Sequence, residues 1–235
     1  MKYGDNVMKY VISHKDFKFP DSIDRSLYTV LVPEGVKASN CQFFKEELDN
    51  RLWSELSAMK YIADHVDNNG WTEINHYRRY FSDFTDLLPE KICVPEPVLL
   101  NSSVAEQYSQ CHNIDDLHVV TEIIQKKYPH LMNDWMSTLN GNILFPYNIV
   151  KFPNDIFKEY VNFMVSILQN FQEVTGTKTY EEMKEHVKSY DRPEYQVRLL
   201  SFLAERISTL FIRLMVLSKG MEVIPVGIVK FDNAW

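Results

Sequence analysis

The sequence predicts a mixed α/β domain with a helix-rich second half. In the first hundred residues, short β-branched and aromatic runs alternate with a segment of three- and four-residue apolar spacing. Beyond them the helical spacing dominates. The chain has 235 residues, 45% hydrophobic and 24% charged, enough for one sizeable core. One domain over 1–235 is therefore expected, with a strand-bearing half over about 9–100 and a helix-rich half over about 101–235.

Lys9-Tyr10-Val11-Ile12-Ser13 and Leu27-Tyr28-Thr29-Val30-Leu31-Val32 read as strands, the second closed by Pro33. From Arg51 to Val66, Leu52, Leu56, Met59, Ala63 and Val66 recur at helical spacing, and Asn68-Asn69-Gly70 supplies a stop. Trp71 to Tyr77 reads as a strand returning to the sheet. Strand, helix and strand thus alternate as in a nucleotide-binding α/β half, where ligands dock in the loops after the strands. After a Pro-rich passage around Cys93-Val94-Pro95-Glu96-Pro97, Ser103-Val104-Ala105-Glu106 has capping-box spacing and opens a helix. Asp116 to Tyr128 is helical, and Pro129 starts another helix that Gly141 ends. Ile143 to Val150 reads as a strand. Pro153 introduces a helix with Ile156, Tyr160, Met164, Ile167 and Phe171 on one face. The polar run Thr175 to Tyr190 is a connector or exposed helical hairpin. A last long helix runs from about Tyr195 to Ser218, stopped by Lys219-Gly220, and Met221 to Val229 is a final strand or tail.

Charge and composition remove whole classes of function. Lys plus Arg is 25 and Asp plus Glu is 32, a formal charge of −7 that argues against a dedicated nucleic-acid binder. Apolar stretches such as Leu210-Phe211-Ile212 are soon broken by charge, here Arg213, far short of the roughly 20 residues that cross a bilayer. Met1-Lys2-Tyr3-Gly4-Asp5-Asn6 lacks the features of a secretory signal, so a cytoplasmic location is expected. Cys41, Cys93 and Cys111 are too far apart for a Cys-x-x-Cys pair and are expected to be buried thiols.

The densest chemistry lies in His76-Tyr77-Arg78-Arg79-Tyr80-Phe81, where a strand is expected to run into a loop. Two guanidinium groups that stay charged at any working pH suit a polyanion, and the rings can stack on a base or sugar. A surface salt-bridge cluster at a strand end is the equally weighted alternative.

With this block at its centre, the chain resembles bacterial polysaccharide-biosynthesis proteins of an uncharacterised-domain class, assigned as capsular or exopolysaccharide glycosyltransferases. The further pieces, in order, are Ser13-His14-Lys15, Asn50, Glu55-Leu56-Ser57, Tyr108 with His112, Tyr128-Pro129, Pro146-Tyr147-Asn148, Glu205-Arg206 and Pro225-Val226. The resemblance implies a single nucleotide-sugar-binding domain of the GT-A style with a mixed central sheet. It implies transfer of a hexose from a nucleoside diphosphate, UDP-hexose with UDP-galactose as one candidate, to a growing surface glycan. The partners would be that donor and a glycan or lipid-linked glycan acceptor, reached by peripheral contact with the inner membrane or a synthesis complex. A non-catalytic nucleotide- or carbohydrate-binding partner in such a complex is the alternative, since fold does not guarantee activity.

Transfer must neutralise a departing diphosphate and activate an acceptor hydroxyl. Many such enzymes hold a divalent metal with an Asp-x-Asp pair, which this sequence lacks. Arg78 and Arg79 are therefore expected to replace the metal, so no cofactor is required. The alternative is manganese or magnesium held by Glu73, Asn75 and His76, although on a strand Glu73 and Asn75 share one face and His76 takes the other. His14 and Lys15, just past the first strand, are candidate nucleotide contacts with Arg78 and Arg79; a solvated turn is the alternative. Glu205 and His76 are the catalytic candidates. Glu205-Arg206 interrupts an apolar helix, so Glu205 is either half of a buried ion pair with Arg198 or Arg206, or a base reaching into a cleft. Tyr147, Asn148, Asn50, Glu55 and Arg206 are the candidate sugar and acceptor contacts, against a plain strand-end turn for the first two. His65, His118, His130 and His186 lack comparable context. The chain departs from the family pattern at Glu34 to Asn40, followed by a helical-looking Phe43 to Leu48, and at Glu73-Ile74-Asn75 and Ile149-Val150-Lys151.

Overall fold

The computed structural model describes residues 6–66 and 69–231. Asn68 of the expected helix stop and most of the N-terminal hexapeptide lie outside the described residues.

Eleven strands and nine α-helices follow one another in the described residues. They are β1 (Val7–Ile12), β2 (Tyr28–Pro33), β3 (Gln42–Phe44), α1 (Asn50–Trp53), α2 (Glu55–His65), β4 (Trp71–His76), β5 (Arg79–Phe81), β6 (Ile92–Pro95), β7 (Val98–Leu99), α3 (Val104–Cys111), α4 (Ile114–Lys127), α5 (Met132–Asn140), β8 (Ile143–Leu144), β9 (Val150–Pro153), α6 (Asn154–Thr175), α7 (Tyr180–His186), α8 (Pro193–Gln196), α9 (Leu199–Leu217), β10 (Val223–Val226) and β11 (Ile228–Lys230).

The main sheet runs β10-β6-β9-β4-β1-β2-β3. β1 is parallel to both β2 and β4, while β9 is antiparallel to its neighbours β4 and β6. β4 turns back through Tyr77-Arg78 into β5, pairing His76 with Arg79, and β11 covers the far edge of β5. Every residue of β4 is buried, as a central strand with both faces covered requires.

The helical half packs around α6 and α9. α6 buries Ile156, Tyr160, Met164, Ile167 and Phe171 at three- and four-residue spacing and lies against α2, α4 and α9. Gly176 ends it in the left-handed conformation (φ 66°), which costs a residue without Cβ little. α9 is apolar almost all round because it sits inside the helical layer, between α5, α6 and the sheet edge. Among the described residues no helix is long and apolar enough to cross a membrane.

Several expected elements are corrected. The helix over 51–66 is broken at Ser54, whose backbone (φ 48°, ψ −128°) separates α1 from α2 and leaves Glu55 at the first position of α2. Phe43 to Leu48 is not helical: β3 takes Phe44 into the sheet, where it is buried. The Pro-rich passage contains β6, because Ile92, Cys93 and Val94 are buried beside β9 and β10. The strand expected over 143–150 is two short strands, since Tyr147 and Asn148 both take positive φ (76° and 51°) and turn the chain between β8 and β9. The last helix divides into α8 and α9, and the tail into β10 and β11. Of the cysteines, all free, Cys93 is buried but Cys41 and Cys111 are partly exposed.

Candidate active site

The site begins where the parallel strands end. At the end of β1 the Ser13 hydroxyl donates to the Lys15 carbonyl at 2.6 Å and accepts the Lys15 N–H at 3.2 Å, turning the chain sharply and leaving His14 on the wall of a cleft. His76 stands at the end of the adjacent β4. One cavity of about 780 Å³ is lined by Ile12 to His14, Pro33 at the end of β2 and Glu34 after it, Asn50, Glu55, His76, Arg78 and Arg198, among others. A second of about 370 Å³ is lined by Arg79, Tyr147, Asn148, Glu205 and Arg206 among others. Glu55, Arg78 and Arg198 form walls of both. The cleft therefore has two lobes meeting at one carboxylate and two guanidinium groups, at the strand ends where open α/β sheets bind ligands.

The hairpin carrying Arg78 and Arg79 is held from behind. Asn75 is fully buried; its side-chain oxygen accepts the Phe81 N–H at 2.9 Å and its amide donates to Glu73 at 2.8 Å. Burial is the chief reason the Glu73 carboxyl lies above its ordinary range. Beside it the buried Lys151 ammonium donates to the Leu88 carbonyl at 2.6 Å and the Thr85 carbonyl at 3.2 Å, tying the segment after β5 to the sheet. Glu73 and Asn75 thus bond one another under the hairpin while His76 faces the cleft, so these three do not converge on a metal. Among the described residues no group of three or more His, Cys, Asp or Glu side chains is placed to hold a metal ion.

The rings of the His76 to Phe81 block do a different job from the one expected. Tyr77, Tyr80 and Phe81 are buried, Tyr80 between Phe19, Tyr28 and Phe231. They anchor the hairpin and leave no ring face for a base. Tyr77 also gathers two cations, with Arg78 at 5.1 Å and Lys15 at 5.4 Å from its ring, and meets the His14 ring edge-on at 5.4 Å. Lys15 lines neither lobe.

His76 is nearly buried, which pushes its pKa down to about 4, so the ring is neutral at pH 7. Its Nδ1 accepts the Arg78 N–H at 3.3 Å, which places the proton on Nε2, 3.4 Å from the Glu55 carboxylate. Burial also lowers the His14 pKa.

Glu205 combines both readings of the sequence. Its Oε2 lies 3.1 Å from Arg206 Nη1, while Oε1 accepts the Tyr147 N–H at 3.0 Å, and its side chain forms part of the second lobe. Burial raises its carboxyl pKa, with Arg206 opposing. Arg198 is not its partner; it is exposed at the start of α9. Arg206, 2% exposed, also donates to the Phe202 carbonyl at 2.9 Å and to Gln107 at 2.5 Å. Tyr147 lies under two cations, Arg79 at 4.5 Å and Lys230 at 5.3 Å from its ring. Asn148 Oδ1, Ser201 Oγ and Arg206 Nε are buried in residues lining this lobe and have no hydrogen-bond partner among the described residues.

The sequence reading missed Arg192, Tyr195 and Phe202 on the second lobe, and Glu46, Glu47 and Asp49 on the first. The acidic trio was hidden by the helical appearance of Phe43 to Leu48. Phe202 was legible only as an apolar residue of the last helix, and Tyr195 only as its start.

The mixed α/β sheet and its flanking helices have a counterpart of the same fold among solved structures. The chain is similar to a solved structure described as WbbM bifunctional glycosyltransferase, apo, with a TM-score of 0.76 and 15% identity over 97% of this chain and 45% of that one. It therefore spans less than half the length of that protein, and the likeness is one of fold. The chain belongs to the family described as Domain of unknown function (DUF4422), whose profile matches residues 9–215. No curated protein matches it.

Proposed function

We propose that the protein is a glycosyltransferase that moves a hexose from a nucleoside diphosphate, UDP foremost, to a surface-glycan acceptor. The observation that carries the reading is the Arg78 hairpin standing between two lobes, one at the ends of β1, β2 and β4 and one lined by buried polar atoms that have no partner among the described residues. The first lobe takes the nucleoside, beside His14. The diphosphate lies against Arg78 and Arg79, whose fixed charges serve where related chemistry uses a metal. The sugar enters the second lobe, where Asn148, Ser201 and Arg206 offer hydrogen bonds to its hydroxyls.

Glu55 stands at the junction and is the carboxylate best placed to accept the proton of an acceptor hydroxyl, with His76 as the residue that orients it. Glu205, whose two oxygens are already engaged by Tyr147 and Arg206, holds the β8–β9 turn under the sugar. The acceptor is a glycan or lipid-linked glycan met at the inner face of a membrane or in a synthesis complex.

Release of UDP from UDP-glucose and UDP-galactose, followed with purified protein, tests the reading. Slow hydrolysis that Glu55→Gln abolishes is expected. Tight UDP binding with no turnover of either sugar would favour the non-catalytic binding partner instead.

A further inference from the structure

The second lobe has a wall that the donor reading does not use. Phe202 and His112 stack with ring centroids 4.2 Å apart, and Tyr195 continues the layer at 4.9 Å from Phe202 with its side chain 46% exposed. Gln196 fixes this layer: it is buried, donates to the Cys111 carbonyl at 2.8 Å and meets His112 Nδ1 at 2.9 Å. Because the Gln196 amide nitrogen is already donating, its oxygen is the acceptor for His112, so the imidazole proton sits on Nδ1 and Nε2 keeps a lone pair. The layer is therefore rigid before any ligand arrives, as an economical binding surface should be.

Two guanidinium groups flank it. Arg192 lies 5.5 Å from the Tyr195 ring and, among the described residues, pairs with Asp191, its exposed neighbour, at 3.3 Å. The Arg198 side chain makes no ion pair among the described residues. Of the two carboxylates on this lobe, Glu205 is paired with Arg206, and Glu55, whose neighbour His76 is neutral, makes no ion pair with Arg192 or Arg198 among the described residues. A neutral sugar would need the apolar layer alone; two poorly compensated cations beside it select for an anion.

We propose that this wall is the acceptor subsite and that it takes a sugar bearing an anionic group, phosphate or carboxylate, next to the face that lies on Tyr195. The proposal rests on the glycosyltransferase reading and specifies its acceptor. Electrostatic contact with Arg192 and Arg198 fixes which hydroxyl approaches Glu55, while stacking on Tyr195 holds the ring.

Calorimetry on the full chain tests this with UDP saturating, so that the anionic probe cannot occupy the diphosphate position. The probes are phenyl β-glucoside, phenyl β-glucoside 6-phosphate and phenyl β-glucuronide. At least one anionic glycoside is expected to bind about tenfold more tightly than the neutral one, the scale of a charge-assisted hydrogen bond at a partly exposed site. The preferred anion identifies the source as a phosphorylated or an acidic sugar. The double variant Arg192→Ala, Arg198→Ala should erase the preference, and Tyr195→Ala should weaken all three probes alike. Equal affinity for the three probes, or a preference that survives the double variant, would overturn the proposal. Failure of UDP itself to bind would instead strike the glycosyltransferase reading beneath it.

Discussion

Tyr147 donates its backbone N–H to the Glu205 carboxylate at 3.0 Å from a left-handed conformation, φ 76°, that an aromatic residue rarely adopts. Such a backbone costs about 1–3 kcal/mol and persists only where its surroundings compel it. Here the compulsion comes from a carboxylate that Arg206 fixes in turn. One ion pair therefore shapes the turn that presents Tyr147 and Asn148 to the second lobe.

Glu205→Gln keeps an oxygen for Tyr147 but removes the charge opposite Arg206, which is 2% exposed. Chemical denaturation should show a loss of about 3 kcal/mol, the lower end for breaking a buried pair because the Glu205 side chain retains some exposure. Replacing the pair with Gln and Met should recover part of it. Unchanged stability in the single variant would mean that Arg206 is adequately held by Phe202 and Gln107 alone.

Glu55→Gln should behave differently, because this carboxylate stands at the junction of the lobes and carries no buried cation. Transfer is expected to fall at least about 10²-fold while the melting temperature stays close to that of the parent. Parental turnover by the variant would return the base role to Glu205.

His76 gives a stability signature with a definite sign. Folding holds its pKa near about 4 against an ordinary 6.5, so as pH falls the unfolded chain takes up this proton first. The contribution is complete above pH 6.5 and is lost progressively down to about pH 4, to a total of about 3 kcal/mol. The raised carboxyls of Glu73 and Glu205 act in the opposite sense over part of this range, so the difference between parent and His76→Asn isolates the imidazole. Parallel pH profiles for the two proteins would show that the imidazole is solvated.

Much of the fold was legible because most helices bury a single stripe. Leu117, Val120 and Ile124 announce α4, and the five apolar positions of α6 announce the longest helix. The break at Ser54 was not legible, since Leu52 and Leu56 keep their spacing across it and Ser54, though not glycine, takes φ 48°. The turn at Tyr147-Asn148 was hidden for a similar reason: neither residue is glycine, and the partner that stabilises it lies 58 residues away. Within the site, Arg78, Arg79 and His76 stood out as charge types at a strand end. Arg192 and Tyr195 did not, because only the path of α8 beside α3 brings them to the cleft.

Absence of an Asp-x-Asp pair, with Arg78 and Arg79 in the hairpin between β4 and β5, predicts that UDP release survives excess chelator. Loss of activity with chelator and rescue by manganese or magnesium would contradict the substitution of fixed cations for a metal.

The central claim is that the hairpin between the lobes holds the diphosphate, and calorimetry of UDP binding to the parent and to folded Arg78→Ala and Arg79→Ala tests it most directly. Each variant should bind UDP more weakly by roughly 1.5–3 kcal/mol, with uridine affinity unchanged. Parental UDP affinity in both variants would contradict the account and place the diphosphate elsewhere.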